Sequence, residues 1–241
     1  MRLFCFEQIA GTYGNKKLIS ITILMIYSSI HYYKLLLLFA LFLGACTETQ
    51  QQVTDLTSDD DPIIGVFHYL SGFEPLTEDS LVRVVIEIPA GTNAKWEVEK
   101  DTGHLSWELR DGEPRVIHYL AYPANYGMVP RTLAGDGDSM DVLVLGTALE
   151  RGKIAETRLI GVLEMLDGGD RDEKMITVMP DSHFAGIENL QQLEEQFQGI
   201  LEIIELWFAN YKGPGNSVEI LGFDDLDRAW EILHESIQNY D

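Results

Sequence analysis

A run of six residues, from Asp136 to Asp141, holds three aspartates and leads directly into the apolar run 142–145. If that apolar run enters a β-sheet, the carboxylates of Asp136, Asp138 and Asp141 must converge. Converging carboxylates repel one another and raise each other's pKa values, and a hard divalent cation between them relieves this repulsion. An isolated acidic run is more often a solvated turn. The run therefore predicts a metal site only in combination with further acids and bases.

A second acidic loop, residues 167–174, follows another strand-like run, residues 159–163. This loop begins with Asp167, contains Asp172 and ends with Lys174. Two acidic loops, each at the end of a β segment, can face each other across a cleft and hold more than one Mg²⁺. The six histidines and two cysteines show no zinc-binding spacing, so we expect a hard metal bound by oxygen ligands.

These acidic segments resemble motifs of one enzyme family. Residues 136–141, Asp-Gly-Asp-Ser-Met-Asp, resemble the D-G-D-x-x-D signature of the soluble family I inorganic pyrophosphatases. The other matching segments are Glu87-Ile88-Pro89, Lys95-Trp96-Glu97, residues 122–127, residues 167–174 and Tyr211-Lys212-Gly213. The resemblance covers roughly residues 81–225, and motifs in the right order are far more specific than any one of them. It implies an inorganic diphosphatase, which hydrolyses pyrophosphate to two orthophosphates.

The resemblance also implies the metal chemistry. Several Mg²⁺ ions, with Mn²⁺ or Zn²⁺ as substitutes, would be held by four aspartates, Asp136, Asp141, Asp167 and Asp172. Paired metal ions lower the pKa of a shared water, and Asp138 would take its proton, so that a metal-bridged hydroxide attacks the phosphorus. Glu87 would act beside this cluster as an acid that orients metal-bound water.

The same resemblance assigns the groups around the phosphates. The substrate-binding residues would be Lys95, Arg110, Tyr126, Lys174, Tyr211 and Lys212, with Tyr126 also counted as catalytic and with Glu97 and Tyr122 in support. The lysines place point charges on phosphoryl oxygens, whereas the tyrosines donate hydrogen bonds without adding charge. The arginine position stays open. Counting directly from Gly103 puts Leu109 at the position where the family has a phosphate-binding arginine. A one-residue insertion would bring Arg110 to that position, and Arg115 is the alternative.

Two other functions fit parts of the pattern. One is an exported barrel domain that binds a divalent metal or another ligand without catalysis, and the other is a hydrolase of a different phosphoanhydride or of a phosphate ester. A pure calcium site gains nothing from Lys95, Lys174 and Lys212, whereas a phosphate site requires such cations. The lysines therefore favour an enzyme over a binding domain, but they do not distinguish between phosphate substrates.

Short strands must position these groups. Apolar residues alternate over 81–88, and residues 95–100 and 104–110 are typical of hairpins. Further strands are predicted at 116–121, 142–146, 158–166, 174–179 and 217–222, and helices at 187–210 and 224–239. Because no long helix separates the strands, the pattern favours a closed antiparallel barrel. The resemblance implies the same mainly β (α+β) plan, a five-stranded OB-like closed barrel flanked by two α-helices.

The N-terminal part has a different composition. Lys34 precedes the apolar run 35–45, and Leu43-Gly44-Ala45-Cys46 resembles a bacterial lipobox. This pattern is typical of a secretory signal rather than of a membrane span, which needs about 20 apolar residues. We expect a signal peptide with lipobox at 1–46, a flexible tether at 47–62 and a pyrophosphatase domain at 63–241. The start codon is open between Met1 and Met25.

Charge and cysteine content limit the partners. The net charge is −22, and without residues 1–45, which hold four basic and one acidic side chain, it becomes −25. Such a surface repels nucleic acid and anionic lipid, so we expect membrane contact only through lipid on Cys46. Thr47 after that cysteine indicates that the chain is located at the periplasmic face of the bacterial outer membrane. If the signal is not used, we expect a cytoplasmic protein. Cys5 is the other cysteine and would be removed with the signal peptide, so we expect no disulfide framework. We also expect a homo-oligomer.

Overall fold

A computed structural model of the chain describes residues 61–240. The predicted signal peptide, the lipobox with Cys46 and the tether up to residue 60 lie outside the described residues. Among the helices that are described, none is long and apolar enough to cross a membrane.

Within residues 61–240 the fold is mainly β, as predicted, with three α-helices. The strands are β1 Val82–Ile88, β2 Trp96–Val98, β3 Leu105–Trp107, β4 Leu109–Arg110, β5 Glu113–Pro114, β6 Asn125–Met128, β7 Asp141–Leu145, β8 Ile154–Asp167, β9 Asp170–Arg171, β10 Lys174–Val178 and β11 Val218–Asp224. The helices are α1 Leu190–Gln196, α2 Ile200–Asn210 and α3 Leu226–Tyr240.

The main sheet is built around the long strand β8. The strand order is β1-β6-β7-β10-β8-β11, and the first part of β8 also pairs with β1. Strands β7 and β10 run parallel, with Lys174 opposite Asp141. The expectation of a purely antiparallel sheet is therefore wrong at this pair. Because β10 lies between β7 and β8, which run in opposite directions, it has to be parallel to one of them.

Strand β1 has a local irregularity where it carries a site residue. Its register with β6 shifts between Ile86 and Ile88, which places Glu87 at a bulge. Bulges re-aim a side chain and are common beside active sites. Opposite Ile86, β6 has Gly127, where an added Cβ would lie 1.9 Å from the Val85 carbonyl oxygen. The glycine is required because the two backbones approach so closely.

The core lies on both faces of the sheet. Along β7, Val142 and Val144 pack into one hydrophobic cluster, whereas Leu143 and Leu145 pack into another, as the two-residue period of a strand requires. The first cluster includes Ala229, Ile232 and Leu233 of α3, and the second includes Leu193 of α1 with Ile204, Trp207 and Phe208 of α2. The helices therefore cover the sheet and leave the strand ends for the acidic loops.

Two predicted elements differ from the structure. The helix predicted at 187–210 is two helices, because Gly199 has a φ of 86° and interrupts the helical backbone. The strand predicted at 116–121 is irregular, and the neighbouring strand is β6 at Asn125–Met128. The second predicted helix is confirmed as α3, whose first turn is capped by Asp225 Oδ1 accepting from the Arg228 amide at 3.0 Å.

Candidate active site

The first acidic run is a tight turn that feeds into β7. Asp136 Oδ1 accepts a hydrogen bond from the Asp138 amide at 3.0 Å, and Gly137 adopts a φ of 84°. The Ala134 amide donates to the Asp138 carbonyl at 2.7 Å, which closes the turn. Asp141 is the first residue of β7. The run is thus both a turn and an acidic segment that leads into the sheet, because the turn is followed directly by Asp141 at the start of β7.

The two acidic loops meet at Lys174, the first residue of β10. Its ammonium donates to Asp141 Oδ2 at 2.6 Å and to the Asp172 carboxylate, and its side chain is only 2% exposed. Burial opposes the charged form, but the two carboxylates outweigh it and raise the pKa of Lys174. The predicted approach of the two loops is therefore present, with a lysine at its centre.

Excess negative charge remains around this lysine. Burial raises the pKa of Asp136, and repulsion from Asp141 and Asp172 raises it further. The pKa of Asp172 is also raised, first by burial and then by Asp141, although Lys174 acts in the opposite direction. Carboxylates in this state are stabilised by an added cation.

The acidic side chains of the site are oxygen donors of the kind that a divalent metal needs. Across residues 61–240, no three His, Cys, Asp or Glu side chains are arranged to hold one metal ion as they stand. Three of the four predicted metal ligands are paired with lysines instead: Asp141 and Asp172 with Lys174, and Asp167 with Lys212. The donors are hard carboxylate oxygens with raised pKa values at Asp136 and Asp172, which suits Mg²⁺. The chemistry of the residues fits a hard divalent cation.

Helix α2 delivers the motif Tyr211-Lys212. Tyr211 caps the C-terminus of the helix, and its ring stacks on Trp207 with centroids 4.6 Å apart. The Lys212 ammonium pairs with Asp167, whose Oδ1 also accepts from Ser217 Oγ at 3.2 Å. Burial favours the neutral carboxyl, but these donors outweigh it and lower the pKa of Asp167. The end of α2 is thereby joined to the second acidic loop.

Three phenols lie in the electrostatic field of Asp141. Tyr122, Tyr126 and Tyr211 have raised pKa values, mainly because burial disfavours the phenolate and secondly because nearby acidic groups repel it. The rings of Tyr122 and Tyr126 lie 5.3 Å apart, and the Lys95 ammonium lies 5.8 Å from the Tyr126 ring centroid. At neutral pH these tyrosines can donate hydrogen bonds to phosphate without adding charge.

Glu87 is an acid held neutral by its surroundings. Its side chain is buried, its Oε1 accepts from the Val98 amide at 2.9 Å, and burial raises its pKa to about 8. Lys95 lowers this pKa and Asp141 raises it, so Glu87 lies in the field of the site. Lys95 directly precedes β2, and its ammonium lies 4.0 Å from a carboxylate oxygen of Glu97 on that strand.

Lys100 is a site residue that the sequence analysis missed. Its ammonium pairs with the Asp138 carboxylate and donates to the Gly137 carbonyl at 3.1 Å. The available signal was its place on the same predicted hairpin as Lys95 and Glu97, before the turn at Gly103. A cavity of 590 Å³ is lined by Glu87, Lys95, Glu97, Lys100, Asp138 and Asp141, among others.

The two arginines differ in their surroundings. Arg110 lies exposed on the two-residue strand β4, whereas the Arg115 side chain is 18% exposed and its Nη1 donates to both Glu108 oxygens at 2.7 Å. Arg115 lies in the electrostatic field of Tyr211 and Tyr122. A second cavity of 710 Å³ is lined by both arginines together with Asp167, Tyr211 and Lys212. Arg115 is therefore the more buried of the two, whereas Arg110 lies on the exposed β4–β5 hairpin.

Comparisons with known proteins identify the family of the chain. The family model described as inorganic pyrophosphatase matches residues 84–241. An inorganic pyrophosphatase of Campylobacter jejuni is 38% identical over 163 residues, which are 66% of this chain and 91% of that protein, and one of Synechocystis is 36% identical over 66% and 92%. The solved inorganic pyrophosphatase of Helicobacter pylori is 34% identical, with a TM-score of 0.61 over 70% of this chain and 98% of its own. The chain belongs to the inorganic pyrophosphatase family.

Proposed function

We propose that the domain hydrolyses inorganic pyrophosphate to two orthophosphates with the help of a divalent metal, Mg²⁺ in the first instance. Membership of the inorganic pyrophosphatase family supports the reaction. The observation that carries it is the meeting of two acidic loops at the buried Lys174, beside Lys212, Tyr126 and Tyr211. Pyrophosphate needs both kinds of group, because cations must bind its oxygens and acids must bind the metal.

Asp136, Asp141, Asp167 and Asp172 would hold the metal ions. When bound, a divalent metal neutralises phosphate charge and makes water more acidic, so that hydrolysis proceeds near neutral pH. Mn²⁺ and Zn²⁺ are the proposed substitutes. We infer several ions for each site because the aspartates come from two loops, one on either side of Lys174.

The chain's own side chains bind, orient and move protons. Lys95, Lys174 and Lys212 bind phosphoryl oxygens as cations, and Tyr126 and Tyr211 donate hydrogen bonds to the same oxygens. For the arginine, Arg115 is proposed in place of Arg110, because it is the more buried of the two. Asp138, with a side chain 61% exposed beside Lys100, accepts a proton from the attacking water. Glu87, whose pKa is raised to about 8 by burial, would act as a neutral acid beside the acidic cluster. The buried rings of Tyr122 and Tyr126 exclude bulk water from one side of the site.

The direct test is phosphate release from pyrophosphate with Mg²⁺, compared with release from nucleoside triphosphates and phosphate monoesters. We expect pyrophosphate to be the preferred substrate by a wide margin. Faster release from a triphosphate would assign the site to another phosphoanhydride. Pyrophosphate binding without phosphate release would favour the alternative of a binding domain.

Two structural proposals accompany this function. We infer that β1, β6, β7, β10 and β8 form an OB-like closed barrel, which is supported by the extra pairing of β8 with β1. We also propose a homo-oligomer, and the exposed Ile203 and Leu206 on α2 support a contact surface there. Sedimentation of the purified chain, with Ile203→Glu as the variant, tests the second proposal. A monomer at all concentrations would contradict it.

The location is proposed from the sequence pattern of residues 34–46. We propose that the chain is exported and anchored at the outer membrane by lipid on Cys46. Stable anchoring needs two or more acyl chains, since one chain binds only reversibly. Activity should therefore fractionate with membranes and be released by detergent but not by high salt, and Cys46→Ala should shift it to a soluble or unprocessed form. Wild-type protein found wholly in the cytosol with residues 35–45 intact would refute export and leave the reaction unaffected.

A further inference from the structure

Three planar side chains stack beside the strands that carry the site. The Arg151 guanidinium lies over the Trp96 ring, with its Cζ 4.3 Å from the ring centroid. The Trp96 and Trp107 rings are stacked in turn, with centroids 5.8 Å apart and planes inclined by 28°. We call Arg151, Trp96 and Trp107 the stacked column. A cation over an indole face is attracted by the ring, and more strongly where water is excluded.

The column is fastened to the backbone of three residues of the site. Arg151 Nε donates to the Glu87 carbonyl at 3.1 Å, and Trp107 Nε1 donates to the Arg115 carbonyl at 2.8 Å. Between them, Trp96 follows Lys95 directly in the chain and pairs with Trp107 across β2 and β3. The column therefore connects the backbones that carry an acid, a lysine and an arginine of the site.

The contact with Glu87 lies where the sheet is irregular. The bulge of β1 takes Glu87 out of the β1–β6 register, and Arg151 donates to its carbonyl. The loop that carries Arg151 is bound to β1 by two backbone hydrogen bonds, from the Gly152 amide to the Ile86 carbonyl at 2.7 Å and from the Ile86 amide to the Lys153 carbonyl at 2.9 Å. The backbone next to Arg151 is thus hydrogen-bonded to β1, which positions the guanidinium beside Glu87.

Trp96 makes its side-chain contacts through its ring rather than through its N–H group. Its side chain is 1% exposed, and no group within residues 61–240 accepts a hydrogen bond from its Nε1. A buried N–H without an acceptor is unfavourable, so the residue is placed for its ring rather than for its donor. The ring contacts both the Arg151 guanidinium and the Trp107 ring.

We propose that Arg151 is a positioning residue for the reaction, acting with Trp96 and Trp107 to set the spacing of Glu87, Lys95 and Arg115. The inference rests on the proposed hydrolysis of pyrophosphate. Arg151 contacts no phosphate or metal in this role. It acts through the backbone of Glu87 and the indole beside Lys95. A displacement of about 1 Å in a reacting group can lower a rate by about 10²-fold, so a small change in the column has a measurable effect.

The test compares Arg151→Met with Arg158→Met. Arg158 is a matched control because its Nη1 also binds backbone carbonyls, those of Ala185 and Ile187 at 2.6 and 3.2 Å, in a segment without site residues. We expect Arg151→Met to lower kcat for pyrophosphate by about 10- to 100-fold with KM changed only a few-fold. Arg158→Met should keep the wild-type kcat. The thermal midpoints of the two variants should be similar.

Two further variants keep the inference testable if Arg151→Met folds poorly. Arg151→Lys keeps a cation over the indole but loses the guanidinium fork, so it should recover part of the lost kcat. Trp107→Phe keeps a ring against Trp96 but removes the donor to the Arg115 carbonyl, so it should raise KM more than it lowers kcat. This split in KM and kcat is not expected of a variant that only destabilises the fold.

The outcomes separate the two proposals. If the wild-type chain releases no phosphate from pyrophosphate, the proposed function fails. If the wild type is active and Arg151→Met matches Arg158→Met in kcat, the positioning role fails and the function stands. Loss of activity in Arg151→Met that merely follows its folded fraction, with no recovery in Arg151→Lys, would also overturn the positioning role.

Discussion

Lys174 Nζ lies 2.6 Å from Asp141 Oδ2, and the two residues are direct neighbours in the parallel register of β7 and β10. They are 33 positions apart in the chain, so their contact depends on the pairing of these two strands. The same ammonium pairs with Asp172 on the second acidic loop. One buried lysine therefore neutralises carboxylates from both loops that are proposed to hold metal.

Removing this lysine should destabilise the metal-free protein. Lys174→Met leaves two partly buried carboxylates without their cation, and breaking a buried ion pair in this way costs about 3–5 kcal/mol. Because Mg²⁺ would neutralise the same carboxylates, added Mg²⁺ should restore more stability to this variant than to the wild type. Urea unfolding in EDTA and in excess Mg²⁺ measures both effects. Equal stability of variant and wild type in EDTA would contradict the role given to the ion pair.

Asp138 is predicted to act as the base. Asp138→Asn should keep the fold and much of the metal binding but lower turnover by about 10² to 10⁴, the range for loss of a general base. Steady-state phosphate release, with metal binding measured separately, tests this. Asp79→Asn, a change at an exposed turn of the same domain, is the matched control. Turnover at the wild-type rate in Asp138→Asn would remove Asp138 from the role.

The two arginines should respond differently to replacement. Arg115→Ala should raise KM or lower kcat strongly, because loss of a charge-assisted pair with phosphate costs a few kcal/mol. Arg110→Ala should change little, since a solvated arginine contributes almost nothing. Glu108→Gln controls for the ion pair, because it removes the partner and keeps Arg115. The reverse result for the two alanine variants would return the phosphate contact to Arg110, the residue chosen from the sequence.

Glu87 should make the stability of the metal-free protein depend on pH. Its pKa is raised to about 8 by burial, so the folded state keeps a proton that the unfolded state loses above its ordinary value of 4.5. The stabilising contribution of protonated Glu87 is therefore fully present below the ordinary pKa of 4.5. It is lost at about 1.4 kcal/mol per pH unit as the pH rises from there through about 8.

Glu87→Gln removes this dependence and keeps an oxygen for the Val98 amide. The free energy of unfolding of wild type minus Glu87→Gln, measured in EDTA from pH 5 to 8, should fall steadily. Glu78→Gln, at an exposed position, should follow the wild-type curve. A difference that stays constant with pH would show that Glu87 is not held neutral.

The sequence alone determined the reaction class and the mainly β fold, and it supplied the predicted site residues. The spacing of Asp136, Asp138 and Asp141 is a local property, and so is the alternation of apolar residues in β1 and β7. The lysines and tyrosines were assigned by the resemblance of short motifs to those of the family. The helix break at Gly199 had a local signal as well, but the apolar period on both sides of it concealed the interruption.

Only the tertiary structure decided which groups meet. Lys174 between two carboxylates, Lys100 against Asp138, and Arg151 over Trp96 each join residues more than 30 positions apart, except Lys174 with Asp172. Their contacts depend on strand register and on the insertion of β10 between β7 and β8, which no local pattern encodes. The proposal of Arg115 rather than Arg110 rests on the same kind of information. The β4–β5 hairpin directs one arginine to solvent and leaves the other near the buried phenols, because burial is a property of the assembled sheet.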